Sequence, residues 1–296
     1  MFDAVAARTL RHLFSASLLL LLFLISTGAQ SAPREPASGL LFAAIGDSGT
    51  GKKEQFAVGQ AMALAHETSP FELVLMLGDN IYGGGGSKRM VEKFEAPYRA
   101  LLTRGVRFQA SLGNHDAGKA DEETNYPFFN MGGRRYYTFT RGEGLAQFFA
   151  LDSSKMDREQ LAWIEKELTA SKARWKIAFF HHPIYSSGRT HGSDRRLREL
   201  LEPLFLRAGV QLVLSGHDHF YERLKPQKGI AYFVSGGAGK LRRGDINRKD
   251  PAFAFGNDQI HHFMLFSIGR DAISFRAIDL KGTEIDAGTI AHPTMN

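Results

Sequence analysis

The sequence predicts an α/β fold in which parallel strands alternate with helices. Three short apolar runs (residues 40–45, 71–77 and 106–112) are separated by two stretches with helical periodicity (residues 55–66 and 89–102). Each apolar run is followed by glycine and then by a polar residue. Because ligands bind at the carboxyl ends of the strands in open α/β sheets, we expect a functional site at that edge.

The second half of the chain continues the same alternation and then becomes rich in strands. A helix is predicted at residues 157–171, with Asp157 as its N-cap, and a basic amphipathic helix at residues 193–208. Buried strands are predicted at residues 175–180 and 210–214. The remaining predicted strands lie at residues 134–140, 145–151, 230–235, 262–268, 272–278 and 284–290.

The composition is that of one large globular domain. The chain has 296 residues, of which 43% are hydrophobic, and this is enough for a full core. It contains no cysteine, which excludes disulfides and a thiol nucleophile. The formal net charge of +6 favours anionic partners, although solubility alone would explain it equally well. The basic residues form no stripe interleaved with aromatic residues, so nucleic acid is not the expected partner.

The N-terminal segment has the features of a secretory signal peptide. Arg8 and Arg11 precede an apolar run, and small residues follow it. We predict a signal peptide at residues 1–31, with a cut after residue 29 as the alternative, a linker at 32–39 and the main domain at 40–296. A membrane anchor is the weaker interpretation, because the fully apolar stretch at 18–25 is short against the about 20 residues that span a bilayer. The mature protein is therefore expected to be exported, to the periplasm or outside the cell, without stable membrane association.

Polar residues capable of binding metal follow five of the predicted strands. His217 and His219 leave the strand at 210–214 and project to the same side, so they can bind one metal ion or one ion each of a pair. Alone, a His-x-His pair is more typical of a polar turn, but the other strand ends favour a metal site. The residues at the five ends are Asp47, Asp79 with Tyr82, Asn114 with His115, His181, and His217 with His219.

The glycine-rich turn at residues 46–51 does not have the spacing of a phosphate-binding loop. It lacks the Gly-x-Gly-x-x-Gly pattern, and Lys52 and Lys53 are not followed by the serine or threonine of a P-loop. A nucleotide-binding cradle is therefore rejected at this position.

The order of the motifs resembles that of the purple acid phosphatases, in the calcineurin-like metallophosphoesterase superfamily. These motifs are Gly-Asp-x-Gly (46–49), Gly-Asp-x-x-Tyr (78–82), Gly-Asn-His-Asp (113–116), His-x-Pro (181–183) and Gly-His-x-His (216–219). The resemblance spans residues 40–223 and is to the short, single-domain members of the tartrate-resistant acid phosphatase type. It implies a four-layer α/β/β/α sandwich with two metal ions at the carboxyl ends of the strands.

The resemblance also implies a ligand set and a pair of metals. The first metal would take Asp47, Asp79, Tyr82 and His219, and the second would take Asp79, Asn114, His181 and His217. It implies Fe(III) at the first site and Fe(II), Zn(II) or Mn(II) at the second. Independently of the family, carboxylate and imidazole ligands suit iron, manganese and zinc better than magnesium or calcium.

Gly49 is a departure from most calcineurin-like enzymes, which have histidine there. Tyr82 would then supply the missing ligand as a phenolate, which is a hard anion that prefers Fe(III) and gives the family its colour. The alternative is that Tyr82 is an aromatic lid over the site.

The implied activity is hydrolysis of small phosphate monoesters by a metal-bound hydroxide. His115 would stabilise the transition state or protonate the leaving oxygen, and His191 is a looser match for the same role, with an exposed loop histidine as the alternative. Asp116 is expected to orient His115. His182 is expected to be a packing histidine or to orient His181.

Two other functions remain as alternatives. A phosphodiesterase or nucleotide hydrolase would use the same metal site, while a non-catalytic phosphate or metal binder is disfavoured because the ligand set is complete. Several arginines are candidates for phosphate contact, but each is more typical of a solvated surface. They are Arg134, Arg135, Arg189, Arg242 and Arg243.

Overall fold

The computed structural model describes residues 39–293. The predicted signal peptide and all but the last residue of the predicted linker lie outside this range. The helices are α1 (Lys53–Thr68), α2 (Ser87–Met90), α3 (Ala96–Leu102), α4 (Ala120–Asn125), α5 (Arg158–Ala170) and α6 (Arg195–Ala208). A π-helical turn, Val91–Glu95, joins α2 to α3, and short 3₁₀ turns occur at Ala117–Lys119 and Pro127–Phe129.

The strands form two sheets. The first sheet has six strands in the order β13-β12-β11-β1-β2-β3, and the second has seven in the order β10-β8-β9-β7-β6-β5-β4. The strands are β1 (Leu40–Ile45), β2 (Leu73–Leu77), β3 (Arg107–Ser111), β4 (Tyr137–Arg141), β5 (Ala146–Ala150), β6 (Trp175–Phe180), β7 (Leu212–Ser215), β8 (Tyr221–Leu224), β9 (Ala231–Ser235), β10 (Phe253–Asn257), β11 (His262–Ile268), β12 (Ala272–Asp279) and β13 (Glu284–Ala291).

Parallel strands form the centre of each sheet, and antiparallel strands extend the edges. In the first sheet β1, β2 and β3 are parallel, whereas β11, β12 and β13 add to β1 in antiparallel fashion. In the second sheet β5, β6, β7 and β9 are parallel. The predicted βαβαβ alternation is therefore confirmed in the part that carries the polar strand ends.

Aromatic side chains fill the space between the two sheets. Phe42 of β1 stacks on Phe266 of β11 within the first sheet and meets Phe148 of β5 edge-on, with ring centroids 5.3 Å apart. Phe233 of β9 packs on Phe275 of β12 at 4.7 Å. These rings are buried, so the two sheets share one apolar interface that fixes their relative position.

Helices cover the outer face of each sheet and complete four layers. Val58 and Met62 of α1 are buried in the cluster that contains the first sheet. On the other side, α6 buries Leu197, Leu201 and Phe205 against the second sheet, and their spacing of four residues places them on one helical face. The predicted α/β/β/α sandwich is confirmed.

The main differences from the predicted elements are local. The helix predicted at 89–102 begins at Ser87 and contains the π-helical turn. Strands β8 and β10 were not predicted. They are four and five residues long and pair with each other in antiparallel fashion, and β10 has only that one neighbour in its sheet. Their strand conformation depends on this tertiary pairing more than on local propensity.

No helix among residues 39–293 combines the length and the apolar composition that crossing a bilayer requires.

The N-cap of α5 gives a direct test of the predicted start of that helix. The Asp157 carboxylate accepts a hydrogen bond of 3.0 Å from the backbone N–H of Gln160. We expect Asp157→Ala to lower the free energy of unfolding by about 1 kcal/mol, measured by urea denaturation. Asp157→Asn, which keeps the accepting oxygen, is the control and should lose only a small part of that. Equal losses in the two variants would contradict the cap.

Candidate metal centre

The two sheets bring the carboxyl ends of five strands together at one edge of the molecule. Strands β1, β2 and β3 come from the first sheet, and β6 and β7 from the second. Hydrogen bonds between the loops that follow these strands join the two sheets. The structure thus gathers the residues predicted at the strand ends, which are Asp47, Asp79, Tyr82, Asn114, His115, His181, His217 and His219.

Three of these residues surround the Nε2 atom of His181. The Nδ1 atom of His181 lies 2.9 Å from the carbonyl oxygen of Leu77, which can only accept, so Nδ1 carries a proton and Nε2 is the nitrogen that faces the other site residues. Nε2 is 3.0 Å from Asn114 Oδ1, 3.1 Å from His217 Nδ1 and 3.4 Å from Asp79 Oδ1. This group has the same members as the predicted second site.

A second group surrounds the Asp47 carboxylate. Oδ1 of Asp47 accepts a hydrogen bond of 3.0 Å from the Tyr82 hydroxyl and lies 3.3 Å from His219 Nε2. Oδ2 accepts a hydrogen bond of 2.7 Å from the backbone N–H of His217. Asp47, Asp79 and His181 place their ligating atoms within 4.8 Å of one another, so the two groups are contiguous.

The donor set fits divalent or trivalent metal ions. Asp47 and Asp79 are 0% and 1% exposed, and no lysine or arginine between residues 39 and 293 forms an ion pair with either carboxylate. Buried carboxylates are unfavourable unless a cation or several hydrogen bonds compensate for lost solvation. Imidazole nitrogens and an amide oxygen complete the set, which is the chemistry of iron, zinc and manganese sites.

The pKa values of the site groups reflect burial opposed by neighbouring charge. Burial would raise the pKa of Asp47, but the surrounding His181, His219 and His217 lower it to about 2. Burial raises the pKa of Asp79. Burial and the neighbouring imidazoles lower the pKa of His217 to about 2, and the same causes lower that of His182 to about 4. Neutral imidazoles of this kind have a free nitrogen lone pair for a metal.

The backbone at three of the proposed ligands is in the left-handed region. The φ angles are 55° at Asp47, 53° at Asp79 and 71° at His217. Non-glycine residues rarely adopt this conformation, and it costs of order 1–3 kcal/mol at each position. Each bend turns the chain sharply at the strand end, so that the side chain faces the site.

His115 and His191 lie at the rim. The side chain of His115 is 51% exposed, its backbone N–H donates to Asp79 Oδ1 at 2.9 Å, and its Nε2 is 4.0 Å from Asp79 Oδ2. His191 is exposed, and its ring centroid is 4.3 Å from that of His217. Both imidazoles therefore face the space above the two groups of ligands.

His182 is closer to the proposed metal ligands than the sequence indicated. Its ligating nitrogen lies within 4.8 Å of those of His181 and His217, and its ring centroid is 4.5 Å from that of His217. Its Nδ1 atom is hydrogen-bonded to the Ser153 hydroxyl at 2.9 Å. That contact orients the ring beside the second group of ligands.

The sequence signature of the calcineurin-like phosphoesterase family matches residues 40–221, which is more than half of the chain. The chain belongs to this family. The match ends at the first residue of β8, just after the His-x-His pair, so all five ligand-bearing strand ends lie within it.

Sequence relatives of this calcineurin-like chain include purple and tartrate-resistant acid phosphatases. Tartrate-resistant acid phosphatase type 5 of Rattus norvegicus is 28% identical, and the alignment covers 84% of this chain and 90% of the relative. Purple acid phosphatase 17 of Arabidopsis thaliana is 29% identical over 79% of this chain and 80% of the relative. The predicted relationship is confirmed.

Solved structures agree on the fold. A purple acid phosphatase from yellow lupin seeds superposes with a TM-score of 0.73 at 18% identity, over 86% of this chain and 54% of that one. GAP50 of Plasmodium, described as the anchor in the inner membrane complex, gives a TM-score of 0.76 at 22% identity, over 87% of this chain and 90% of that one. At these identities the likeness concerns the fold alone.

Asp116 has a different role from the one expected of it. Its carboxylate does not hold the His115 ring but accepts backbone N–H groups of Asn80 at 3.0 Å, Ile81 at 3.3 Å and Gly113 at 2.8 Å. It thereby ties the loop after β2 to the loop after β3. Sequence reasoning missed this role, although an aspartate two residues after the predicted ligand Asn114 was a visible signal.

Lys240 was also missed. It lies in the loop after β9, and its ammonium group sits 3.4 Å from the centroid of the Tyr82 ring. The loop is tied to the end of β1 by a hydrogen bond of 3.3 Å from the Ala238 N–H to the Gly46 carbonyl. Of the arginines considered for phosphate contact, Arg242 lies in the same loop and donates its backbone N–H to the His219 carbonyl at 3.0 Å.

The structure explains why this chain has glycine where most calcineurin-like enzymes have histidine. A Cβ atom on Gly49 would lie 1.8 Å from the carbonyl oxygen of Asn80 and 2.5 Å from Cα of Ile81. The same close approach places the Gly49 carbonyl 2.8 Å from the Tyr82 N–H. The loop carrying Tyr82 therefore occupies the space that a side chain at position 49 would need.

Replacement of Gly49 tests this steric argument. We expect Gly49→Ala to lower the free energy of unfolding by about 2 kcal/mol or more, because backbone atoms must move to admit the methyl group. Gly118→Ala is the matched control, since a Cβ there meets nothing within 4 Å. Urea denaturation of both variants gives the comparison. A Gly49→Ala variant as stable as the Gly118→Ala variant would contradict the close approach.

Proposed function

We propose that this protein is a binuclear-metal acid phosphatase that hydrolyses small phosphate monoesters. The observation that carries the proposal is the group of carboxylates, imidazoles and one phenol at the sheet edge, in which both carboxylates are buried. Its members fall into two contiguous sets around Asp47 and His181. The acid phosphatase activity named for the sequence relatives supports it.

The two sets would hold two metal ions. Asp47, Tyr82 and His219 would bind the first, and Asn114, His181 and His217 the second, with Asp79 shared. Fe(III) suits the first because of its phenolate ligand, and Fe(II), Zn(II) or Mn(II) suits the second. When bound, the metals would supply Lewis-acid activation of water and of the phosphoryl oxygens.

The remaining residues at the rim would orient the ester and move a proton. His115, whose exposed ring lies beside Asp79, would donate a proton to the leaving oxygen. His191, whose ring is tilted against that of His217 with the centroids 4.3 Å apart, would donate a hydrogen bond to a phosphoryl oxygen. The Lys240 ammonium group, over the Tyr82 ring, adds positive charge on the side where the dianionic phosphate would approach.

The proposed function extends to the location of the protein. We infer that residues 1–31 are removed as a signal peptide and that the mature domain acts outside the cytoplasm on small phosphate esters. The charged, apolar and small-residue regions of that segment support this inference.

The proposal is tested by comparing a variant of a proposed metal ligand with a variant of a residue at the rim. We expect the purified protein to hydrolyse nitrophenyl phosphate faster than bis-nitrophenyl phosphate. Asp79→Ala should lose both metals, measured by mass spectrometry of metal content, together with turnover. His115→Ala should keep its metals and lower kcat by roughly 10²-fold, because only proton transfer is affected.

For each of these measurements, a different result would contradict the proposal. Asp79→Ala with two metals and activity within about tenfold of wild type would overturn the shared-ligand assignment. Metal loss in His115→Ala would make that residue a ligand. Faster hydrolysis of the diester than of the monoester by the wild type would replace the phosphatase with a phosphodiesterase.

The colour of the iron-loaded protein tests whether Tyr82 binds iron. If its phenolate binds Fe(III), the iron-loaded protein should have a visible charge-transfer band, and Tyr82→Phe should lose the band and retain iron less well. Tyr232→Phe is the control, because Tyr232 is also buried and its hydroxyl has no hydrogen-bond partner among the described residues. Persistence of the band in Tyr82→Phe would leave Tyr82 as an aromatic lid and remove the case for Fe(III).

A further inference from the structure

Lys119 is a buried lysine at the end of the short 3₁₀ turn that follows His115. Only 8% of its side chain is exposed. Its ammonium group donates one hydrogen bond to the backbone carbonyl of His115, at 2.9 Å, and another to the backbone carbonyl of Ile81. His115 lies in the loop after β3, and Ile81 precedes Tyr82 in the loop after β2. One ammonium group therefore joins the loop that carries His115 to the loop that carries Tyr82.

Two buried carboxyl groups keep the Lys119 ammonium group in place. Its Nζ atom is 3.6 Å from Asp116 Oδ1 and 3.4 Å from Glu123 Oε1, and both acidic side chains are 0% exposed. Burial and the neighbouring Asp116 carboxylate raise the pKa of Glu123. Lys119 and Asp116 thus form the charged pair, and the positive charge of the buried lysine is compensated.

The backbone of His115 is held at both of its polar groups. Its N–H donates to Asp79 Oδ1 at 2.9 Å, and its carbonyl accepts from Lys119. Within residues 39–293 no hydrogen bond reaches the imidazole ring itself. The ring instead packs against the ring of Tyr82, with the centroids 4.8 Å apart and the planes tilted by 58°. The position of the imidazole therefore depends on how the two loops are held together.

Lys93 provides a comparison on the same loop. Its ammonium group donates to the backbone carbonyl of Tyr82 at 2.6 Å, which is the carbonyl next to the one that Lys119 binds. In the described part of the chain, Lys93 forms no hydrogen bond or ion pair with the loop after β3. Lys93 thus holds the Tyr82 loop alone, whereas Lys119 holds both loops.

Proton transfer to a leaving oxygen requires accurate placement of the acid. A general acid must lie within hydrogen-bond reach of the oxygen that it protonates, and a displacement of about 1 Å can lower the rate by roughly 10²-fold. Loss of the Lys119 ammonium group would release the carbonyls of His115 and Ile81 together. The two loops could then separate, and the His115 ring would no longer be confined against Tyr82.

We propose that Lys119 is a positioning residue, which keeps the His115 ring in place for protonation of the leaving oxygen by binding the Ile81 and His115 carbonyls at once. This inference rests on the proposed function, since it concerns the placement of His115 in that site. In the reaction, water adds to phosphorus and the bond to the leaving oxygen breaks. That oxygen takes its proton from His115, and a proton of the attacking water replaces it. Lys119 exchanges no proton in these steps.

The kinetic test compares two leaving groups. Phenol is a more basic leaving group than nitrophenol, so phenyl phosphate depends more strongly on protonation than nitrophenyl phosphate does. In Lys119→Met we expect kcat for phenyl phosphate to fall about tenfold further than kcat for nitrophenyl phosphate. KM for both esters should stay within about twofold of wild type. Lys93→Met is the matched control, and its ratio of the two kcat values should equal that of the wild type.

The His115→Ala background tests whether Lys119 acts through His115. If it does, adding Lys119→Met to His115→Ala should not change the ratio of the two kcat values any further. Lys119→Met is expected to fold, because the Asp116 carboxylate keeps its three backbone N–H donors. Lys119→Gln, which is polar and shorter by one atom, carries the same comparisons if the Met variant does not fold.

A measurement on the metal-free protein separates this inference from the proposed function. The wild type and Lys93→Met should show a nuclear Overhauser contact between the rings of His115 and Tyr82, and Lys119→Met should lose it. Loss of the contact in a protein without turnover would retain the positioning role and overturn the phosphatase. The positioning role would be overturned, and the phosphatase retained, if active Lys119→Met kept the ring contact or the wild-type ratio. An equal change of the ratio in Lys93→Met would have the same consequence.

Discussion

The burial of two carboxylates between the ends of two sheets is the constraint on which the rest of this structure depends. Asp47 and Asp79 are almost completely removed from water, and removal of a carboxylate from water is unfavourable by several kcal/mol unless it is compensated. Hydrogen bonds from His217 and Tyr82 to Asp47 supply part of the compensation. Cations bound between the carboxylates would supply the remainder, so metal affinity and folding stability should be linked.

The fold meets this constraint by holding the loops rigidly. The left-handed backbone at three proposed ligands is sustained only if the surroundings determine it, and these surroundings are short loops anchored on an aromatic core shared by both sheets. Asp116 joins the loops after β2 and β3, while the Nδ1 atom of His181 reaches the carbonyl of Leu77 in the other sheet. Such anchoring fixes donor positions before a ligand arrives.

The sequence predicted the strand ends well because glycine, a polar ligand and an apolar run are all local signals. Strands β1 and β6 have the predicted bounds, and the proposed ligands all follow strands. Lys240, Asp116 and the steric role of Gly49 could not be predicted in the same way. Each depends on which loop of the fold faces which, and short edge strands such as β10 depend on their pairing partner.

The distribution of charge follows from the same arrangement. The carboxylates lie beneath the rim, where they would attract metal cations and repel a free phosphate ester. Lys240 lies at the rim, where its ammonium group would attract the ester. A dianionic ester therefore meets positive charge first, and it can approach the carboxylates only when bound cations offset them. The buried carboxylates would therefore select metal cations, and the positive charge at the rim would select the anionic substrate.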